Sequence, residues 1–269
     1  LEWGYEADHA FHEHGDIFAR SGIPFYVCPG TSSWNTVGGR TTNAIDNMRN
    51  AAENGLNHGA TGYLNTDWGD NGHWQPLPVS YLGFAYGAAL GWDYGSNREI
   101  DIAATAGRYA FRDSQGIMGR LAYDLGNIYE ESDIRVANGT ILFYLLQIQP
   151  HEMEEQRKRL LAGELSDPSD FEGMRTRIDE VMAPLDQAEM DRADAELVRA
   201  EFTWVADMLR HACGRALWLL DGAPTPNETL ATEAGELIDR YQILWLARNR
   251  PGGYLESVAR MEAMRDDYL

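Results

Sequence analysis

The sequence is poor in cysteine and contains no long apolar run. Its two cysteines, Cys28 and Cys213, lie in different segments of the 269 residues, so two buried free thiols are expected rather than a disulfide framework. No run of about 18 apolar residues occurs, which argues against a transmembrane helix. No signal peptide is recognisable, and the chain starts without Met inside a predicted strand. We therefore expect the natural start to lie upstream, and the cytoplasm is the favoured compartment.

Lysine is nearly absent as well, because Lys158 is the one lysine among 22 basic residues. Acidic residues number 42, and the formal net charge is −20. A field of this sign repels phosphate groups, which argues against nucleic acids and anionic membranes as partners. The hydrophobic content of 44% and the Tyr- and Trp-rich aromatic set predict a packed core rather than a disordered chain.

A strand–loop–helix pattern occurs three times in the first 95 residues. Each predicted strand leads into a polar loop that carries a tryptophan, namely Trp3, Trp34 and Trp68. Such alternation predicts right-handed βαβ units and a parallel sheet. Three units cannot close an eight-stranded barrel, so the sheet is either open or the last part of a barrel. The strands are predicted to begin near residues 1, 23 and 61, and the helices to cover residues 8–21, 42–57 and 79–92.

After about residue 93 the pattern becomes helical. The predicted domains are accordingly residues 1–95, an α/β unit, and residues 96–269, an α-helical region. A long helix is predicted from about Asp186 to Leu220, and the apolar run Ile141–Ile148 fits either a helix or a strand. Covering the base of a barrel and forming a homodimer are two roles considered for this helical region.

The loop after the third strand carries the densest set of chemical groups. Asp67, Trp68, Asp70, His73 and Trp74 bring two carboxylates, two indoles and an imidazole together within eight positions. An indole can cover the apolar face of a sugar ring while carboxylates bind its hydroxyls, so this loop predicts a carbohydrate site. A polar surface loop with structural Asp turns is the alternative. Asp67, Asp70 and His73 could also bind a metal, but no second histidine at helical spacing and no EF-hand loop is present, so no metal site is predicted.

The two earlier loops hold further candidates. Trp3 and Glu6 follow the first strand and either bind substrate or belong to an ordinary surface loop, in which Asp8 is the expected N-cap of the next helix. Trp34 ends the second loop and offers a stacking platform. Its serines lack a Gly-x-Ser-x-Gly turn and a histidine partner, and Cys28 has no base beside it.

The three loops together resemble bacterial members of glycoside hydrolase family 20, the β-N-acetylhexosaminidase-like enzymes. The resemblance covers residues 1–95 and an Arg-Asn-Arg-Pro-Gly-Gly element at residues 248–253. Its motifs are Leu-Glu-Trp-Gly-Tyr-Glu-Ala-Asp-His at residues 1–9, Pro-Gly-Thr-Ser-Ser-Trp-Asn at 29–35 and Asn-Thr-Asp-Trp-Gly-Asp-Asn-Gly-His-Trp-Gln at 65–75.

The resemblance implies the C-terminal part of a (β/α)8 barrel, with the three strands as its sixth, seventh and eighth. It also implies retaining hydrolysis of terminal β-linked N-acetylhexosamine, in which the substrate's acetamido oxygen attacks the anomeric carbon. The Asp-Glu pair of that family follows the fourth strand and is expected upstream of Leu1, so the chain alone is expected to be inactive. No cofactor is implied.

The resemblance further implies roles for particular residues. Trp3, Trp34 and Trp68 would line the sugar pocket, and Asp67 or Asp70 would bind sugar hydroxyls. Asp70 stands where the family more often has glutamate, two residues after the tryptophan. Two other hypotheses stay open: a non-catalytic carbohydrate-binding protein, and a different barrel glycosidase that uses Glu6 and Asp70.

Overall fold

A computed structural model describes residues 1–152, 167–221 and 227–269. It is mostly helical and contains one small parallel sheet near the N-terminal end. This confirms the predicted order of a parallel α/β unit followed by helices. The described strands form a three-stranded sheet and not a closed barrel.

The sheet is shorter than the apolar runs suggest. The three strands are parallel in the order β1-β2-β3. Trp3 lies opposite Cys28, and Val27 lies opposite Tyr63. Because all strands run the same way, the three polar loops leave the sheet at one edge. The strands are β1 (Glu2–Trp3), β2 (Tyr26–Cys28) and β3 (Gly62–Tyr63).

The two faces of the sheet differ because side chains alternate along each strand. On one face Val27 packs with Phe11 of helix α1 (Phe11–Ser21) and Ala51 of helix α2 (Thr41–Asn57). On the other face Trp3, Tyr26 and Leu64 remain exposed. The described helices therefore cover one side of the sheet.

The first three helices end where the sequence predicts, but α1 starts three residues later than predicted and does not use the predicted N-cap. Gly22 ends α1 in the left-handed conformation, with φ of 71°, as its place after Arg20 predicts. Asp8 is not the N-cap of α1, because Ala10 occupies that position without a side-chain hydrogen bond. Neither Thr41 nor Thr42 caps α2. The amide of Thr42 instead donates to the side chain of Asn127 at 3.0 Å, a partner 85 residues away.

In the remaining described residues the regular structure is helical, apart from an isolated antiparallel bridge between Asp113 and Met190. The run at Ile141–Ile148 forms a helix that ends at Gln147. The long helix starts at residue 195, and the predicted first part of it contains a separate 3₁₀ turn at Leu185–Gln187. No described helix has the length and apolar character that a bilayer crossing requires. After a 3₁₀ turn at Leu77–Ser80 come α3 (Tyr81–Trp92), α4 (Tyr94–Asn97), α5 (Ile102–Tyr109), α6 (Ile117–Leu125), α7 (Ile141–Gln147), α8 (Pro168–Met182), α9 (Ala195–Asp221), α10 (Asn227–Arg248) and α11 (Tyr254–Asp266), with further 3₁₀ turns at Ile128–Glu131 and Pro150–Glu152.

One hydrophobic cluster connects the α/β unit to the helices. It contains Met48 of α2 and Tyr86 of α3 together with Phe143 of α7 and Trp204 of α9. The helical region therefore packs directly against the helices that cover the sheet. A domain boundary at residue 95 stays a prediction.

Candidate functional site

A groove of about 1030 Å³ opens at the edge of the sheet where the strands end. Loops after β1 and β3 form most of its wall, and a loop of the helical region closes one side. The lining residues are Leu1, Trp3, Gly4, Tyr5, Glu6, His9, Cys28, Leu64, Thr66, Trp68, Asp70, Ala137 and Asn138. Four of the eight predicted site residues therefore meet here: Trp3, Glu6, Trp68 and Asp70.

Three aromatic side chains form a continuous wall of the groove. The rings of Trp3 and Tyr5 have centroids 5.6 Å apart, and those of Tyr5 and Trp68 are 6.5 Å apart. The Trp68 indole N–H donates to the Tyr5 hydroxyl at 2.8 Å, which fixes both rings. Trp3 is 62% exposed and Trp68 is 48% exposed. Large apolar rings that pack against one another and stay open to solvent are typical of a binding surface.

Trp34 lies under this wall and does not line the groove. It is 1% exposed, its ring meets Tyr5 edge-on at 4.9 Å, and its N–H donates to the side chain of Asn138 at 2.9 Å. The ring turns back over Gly30, where an added Cβ would lie 2.4 Å from it. Trp34 therefore supports Tyr5 from below, in contrast to the pocket-lining role predicted for it.

Glu6 lines the groove, but its carboxylate is held by protein groups. Arg40 donates to both oxygens, at 3.0 and 2.6 Å, and the backbone amide of Asn138 donates at 2.7 Å. Burial opposes ionisation of this carboxyl, but the hydrogen bonds and charge of Arg40 and the amide outweigh it, so the pKa of Glu6 lies below its usual range. Glu6 is therefore an ionised carboxylate that joins three segments of the chain.

Asp67 faces the protein rather than the groove. Its Oδ1 accepts hydrogen bonds from Thr31 at 2.7 Å and Ser33 at 2.8 Å, and its Oδ2 accepts one from Ser80 at 3.0 Å. These hydroxyls come from the loop after β2 and the turn before α3. Asp67 therefore ties two loops together, and the carboxylate predicted to hold sugar hydroxyls binds protein hydroxyls instead.

Asp70 is exposed at the rim of the groove. The next residue, Asn71, has a positive φ of 55° and donates from its side chain to Asn35 at 3.2 Å. Its carbonyl accepts a hydrogen bond from Gln147 at 2.8 Å. The backbone beside Asp70 is thus fixed from two sides while its carboxylate stays accessible to a ligand.

His73 and Trp74 lie away from the groove. Trp74 is fully buried, donates to the carbonyl of Ser257 at 3.0 Å and packs against Phe143. His73 packs edge-on against Trp245, and burial lowers its pKa although the charge of Asp67 opposes this. Both residues attach the third loop to the helical region, which differs from the predicted substrate contact.

Asp67, Asp70 and His73, the possible metal ligands of the third loop, do not come together in the structure. Asp67 faces three hydroxyls, Asp70 faces the groove and His73 faces Trp245. Arg248 likewise does not reach the groove. Its guanidinium pairs with Asp194 at 2.6 Å and with Glu201 at 2.7 Å inside the helical region.

Tyr5 and Asn138 are lining residues that the sequence pattern did not select. Tyr5 sits in the first loop and could have been selected as a third aromatic beside Trp3. Asn138 carries no local signal, because it lies more than 100 residues from the loops that it contacts through Trp34 and Glu6. Its φ of 57° is compatible with asparagine, which tolerates the left-handed region better than most residues.

The sequence contains one adjacent Asp-Glu pair, Asp179-Glu180. It lies on exposed turns of α8, where Asp179 accepts from Arg210 at 2.8 Å and Glu180 accepts from Arg177 at 3.1 Å. It does not contribute to the groove.

No protein-family model matches the chain, and a comparison with curated proteins finds no match. The groove and the motifs that line it are therefore the features that bear on function.

Proposed function

We propose that this chain supplies the sugar-binding wall of a glycosidase that acts on terminal β-linked N-acetylhexosamine or a related sugar. The observation that carries the proposal is the aromatic wall of Trp3, Tyr5 and Trp68 beside the accessible carboxylate of Asp70. A pyranose has apolar C–H faces and a rim of hydroxyls, and this surface offers a complementary pair of groups.

The surrounding fold is consistent with part of a (β/α)8 barrel. Helices cover one face of the parallel sheet, apolar side chains occupy the other, and the polar loops gather at the carboxyl ends of the strands. Barrel enzymes build their active sites at that edge. Among the described residues the outer edges of β1 and β3 have no strand partner, as expected of strands that pair with others in a closed barrel.

In the proposed reaction the acetamido oxygen of the substrate attacks the anomeric carbon and the leaving oxygen takes a proton from a carboxylic acid. The residues of this chain position the sugar. Trp3 and Trp68 exclude water from its apolar face, and Asp70 accepts hydrogen bonds from its hydroxyls. The proposed reaction also needs a proton donor and a group that orients the acetamide. Asp179 and Glu180 belong to α8 and do not line the groove, so we assign these roles to an Asp-Glu pair outside these 269 residues.

A glycosidase that uses Glu6 and Asp70 as its working pair is less favoured. Both oxygens of Glu6 are hydrogen-bonded to Arg40, and one also accepts from the amide of Asn138, so the carboxylate is not free to act as nucleophile. Its lowered pKa also disfavours the general acid, which must hold its proton near neutral pH. Because these contacts occupy the Glu6 carboxylate, carbohydrate binding without catalysis is the second candidate function.

The test is an enzyme assay of the full gene product, which includes this chain and any segment encoded before it. Aryl β-glycosides with and without a 2-acetamido group serve as substrates, and a thiazoline mimic of the cyclised intermediate serves as inhibitor. The proposal predicts cleavage of the acetamido sugars alone, blocked by the thiazoline. Cleavage of glucosides that lack the acetamido group, at a rate that the thiazoline does not reduce, would contradict the proposal. Thiazoline binding without any cleavage would support the second candidate.

A further inference from the structure

We propose that Glu2, His9 and His14 form a binding site for a divalent transition-metal ion of the zinc class. The Nε2 atom of His9 lies 2.8 Å from Oε1 of Glu2, and the Nδ1 atom of His14 lies 2.7 Å from the same oxygen. The three donor atoms all lie within 4.8 Å of one another. Two imidazoles and one carboxylate are a ligand set that zinc uses in proteins.

The three ligands come from three consecutive pieces of the chain. Glu2 is on β1, His9 ends the first loop, and His14 is one turn into α1. Their convergence on a single oxygen therefore depends on the fold rather than on one helical stripe, which explains why no metal-binding spacing is apparent in the sequence. The segment is also rich in imidazole, because His9, His12 and His14 are three of the seven histidines in the chain.

The geometry needs only a small adjustment to accept an ion. Bonds of about 2.0–2.1 Å in a tetrahedral arrangement place neighbouring donors about 3.3 Å apart. The contacts of 2.8 and 2.7 Å must therefore widen by roughly half an ångström, and the two ring nitrogens, which lie within 4.8 Å of each other, must come to a similar spacing. Rotation of the Glu2 and His14 side chains around the fixed His9 ring provides this adjustment. The Glu2 side chain is 11% exposed, that of His9 23% and that of His14 44%, so the ion enters from the His14 side and keeps a position open to water there.

The ring of His9 is already fixed in place. It packs directly on Gly4, where an added Cβ would lie 2.2 Å from the imidazole, and it meets Phe11 edge-on at 4.6 Å. A ligand held by its surroundings loses little conformational freedom when it binds an ion.

A bound ion would order the loop that builds the groove. Residues 4 to 9 connect two of the ligands, and this loop carries Tyr5 and Glu6 into the groove, while His9 itself lines it. The proposed ion stabilises that wall by linking β1, the first loop and α1, and it takes no part in a reaction step. The inference is independent of the sugar that the groove binds.

The test is calorimetric titration of chelator-treated, tag-free protein with Zn²⁺, repeated with Co²⁺ while the visible absorption of the ion is recorded. We expect one ion per chain, a Co²⁺ spectrum with nitrogen ligation, and a higher Tm in the presence of Zn²⁺. His14→Ala should weaken Zn²⁺ binding at least tenfold and abolish the Tm increase, because it removes one of three ligands.

His12→Ala is the matched control, since His12 is an exposed histidine of the same helix whose ring instead contacts Asn54 and His58. It should bind Zn²⁺ like the wild type. Glu2→Gln provides a second ligand variant if His14→Ala fails to fold. Equal Zn²⁺ binding by wild type, His14→Ala and Glu2→Gln would overturn the proposal, as would the absence of stoichiometric binding to the wild type. In that case the cluster is a hydrogen-bonded group only.

Discussion

Asp67 and Asp70 are three residues apart in one loop, yet their carboxylates have different environments. Asp67 accepts hydrogen bonds from three hydroxyls, whereas Asp70 is exposed at the groove. A carboxylate that satisfies buried hydroxyls contributes to folding, and one that faces a groove contributes to binding. Both residues are aspartates, so only their contacts in the folded protein distinguish their roles.

The first prediction separates these two aspartates. Asp67→Ala should lower the free energy of unfolding by about 2–4 kcal/mol, because the hydroxyls of Thr31, Ser33 and Ser80 lose their acceptor. Asp70→Ala should change it by less than about 0.5 kcal/mol, as expected for an exposed side chain, but should weaken sugar binding about tenfold. Urea denaturation and ligand titration of both variants provide the two measurements. The reverse pattern would mean that the roles are exchanged.

The second prediction concerns the pH dependence of the Glu6–Arg40 pair. The pKa of Glu6 is below its ordinary value of 4.5 in the folded protein. Its ionised form is thus favoured by folding, and this stabilisation is present above that value and is lost as the pH falls through the folded pKa. We expect the stability difference between wild type and Glu6→Gln to be largest near neutral pH and to shrink as the pH falls below 4.5.

The control for this prediction is the same substitution in an Arg40→Met background, where Glu6 keeps the amide of Asn138 but loses the Arg40 charge and hydrogen bonds that lower its pKa. There the stability difference should vary much less with pH. An equal pH dependence in both backgrounds would show that Arg40 is not the cause.

Residue types alone indicated the chemistry of the groove but not the direction of each side chain. Trp3 and Trp68 line it as the loop positions suggested, whereas Trp34 and Trp74 are buried. Trp3 ends β1, the other three lie in loops after strands, and all four stand among polar residues. Burial of Trp34 depends on Gly30 and Asn138, and burial of Trp74 depends on Phe143 and Ser257, which are distant contacts that a local pattern does not contain.

Helices α5 and α6 cross so closely that a glycine is required between them. A Cβ at Gly119 would lie 1.9 Å from the carbonyl oxygen of Ala103 and 2.6 Å from the amide nitrogen of Gly107. Both atoms belong to the backbone of α5 and cannot move aside as a side chain can. The distance between the two helices is therefore set at this position.

The third prediction follows from this crossing. Gly119→Ala should lower the free energy of unfolding by about 2–3 kcal/mol, since the helices must separate. Gly173→Ala in α8 is the matched control, because nothing lies within 4 Å of its added Cβ. That change should raise the stability by about 0.5–1 kcal/mol through helix propensity. Thermal and urea unfolding test both, and equal effects of the two substitutions would contradict the tight crossing.

At the level of elements, apolar periodicity predicted most helices near their observed positions but not their caps. The first turn of α2 receives Asn127 from the helical region instead of its own threonines. The strands are shorter than their apolar runs because regular pairing ends where the polar loops begin, apart from a single bridge between Gly30 and Thr66. Tertiary contacts therefore override local preferences mainly at the ends of elements.

For the whole molecule, the alternation of strands and helices was sufficient to predict a parallel sheet with its loops at one edge. It did not predict that the helical region would return to that edge. Asn138 contacts both Trp34 and Glu6, and Ser257 contacts Trp74, so residues from far along the chain complete the groove and support its walls. Such contacts join segments that share no sequence pattern, and only the packed structure reveals them.

The central claim is that the aromatic wall binds a sugar, and the indole N–H signals test it most directly. The chain has eight tryptophans, whose N–H resonances can be assigned by substitution and followed by NMR during titration with the thiazoline of N-acetylglucosamine. We predict saturable shifts of the Trp3 and Trp68 signals, with little change at Trp204, which is buried against α10, or at Trp92, which is exposed outside the groove. Unchanged Trp3 and Trp68 signals at saturating ligand, or shifts confined to the other indoles, would contradict the account.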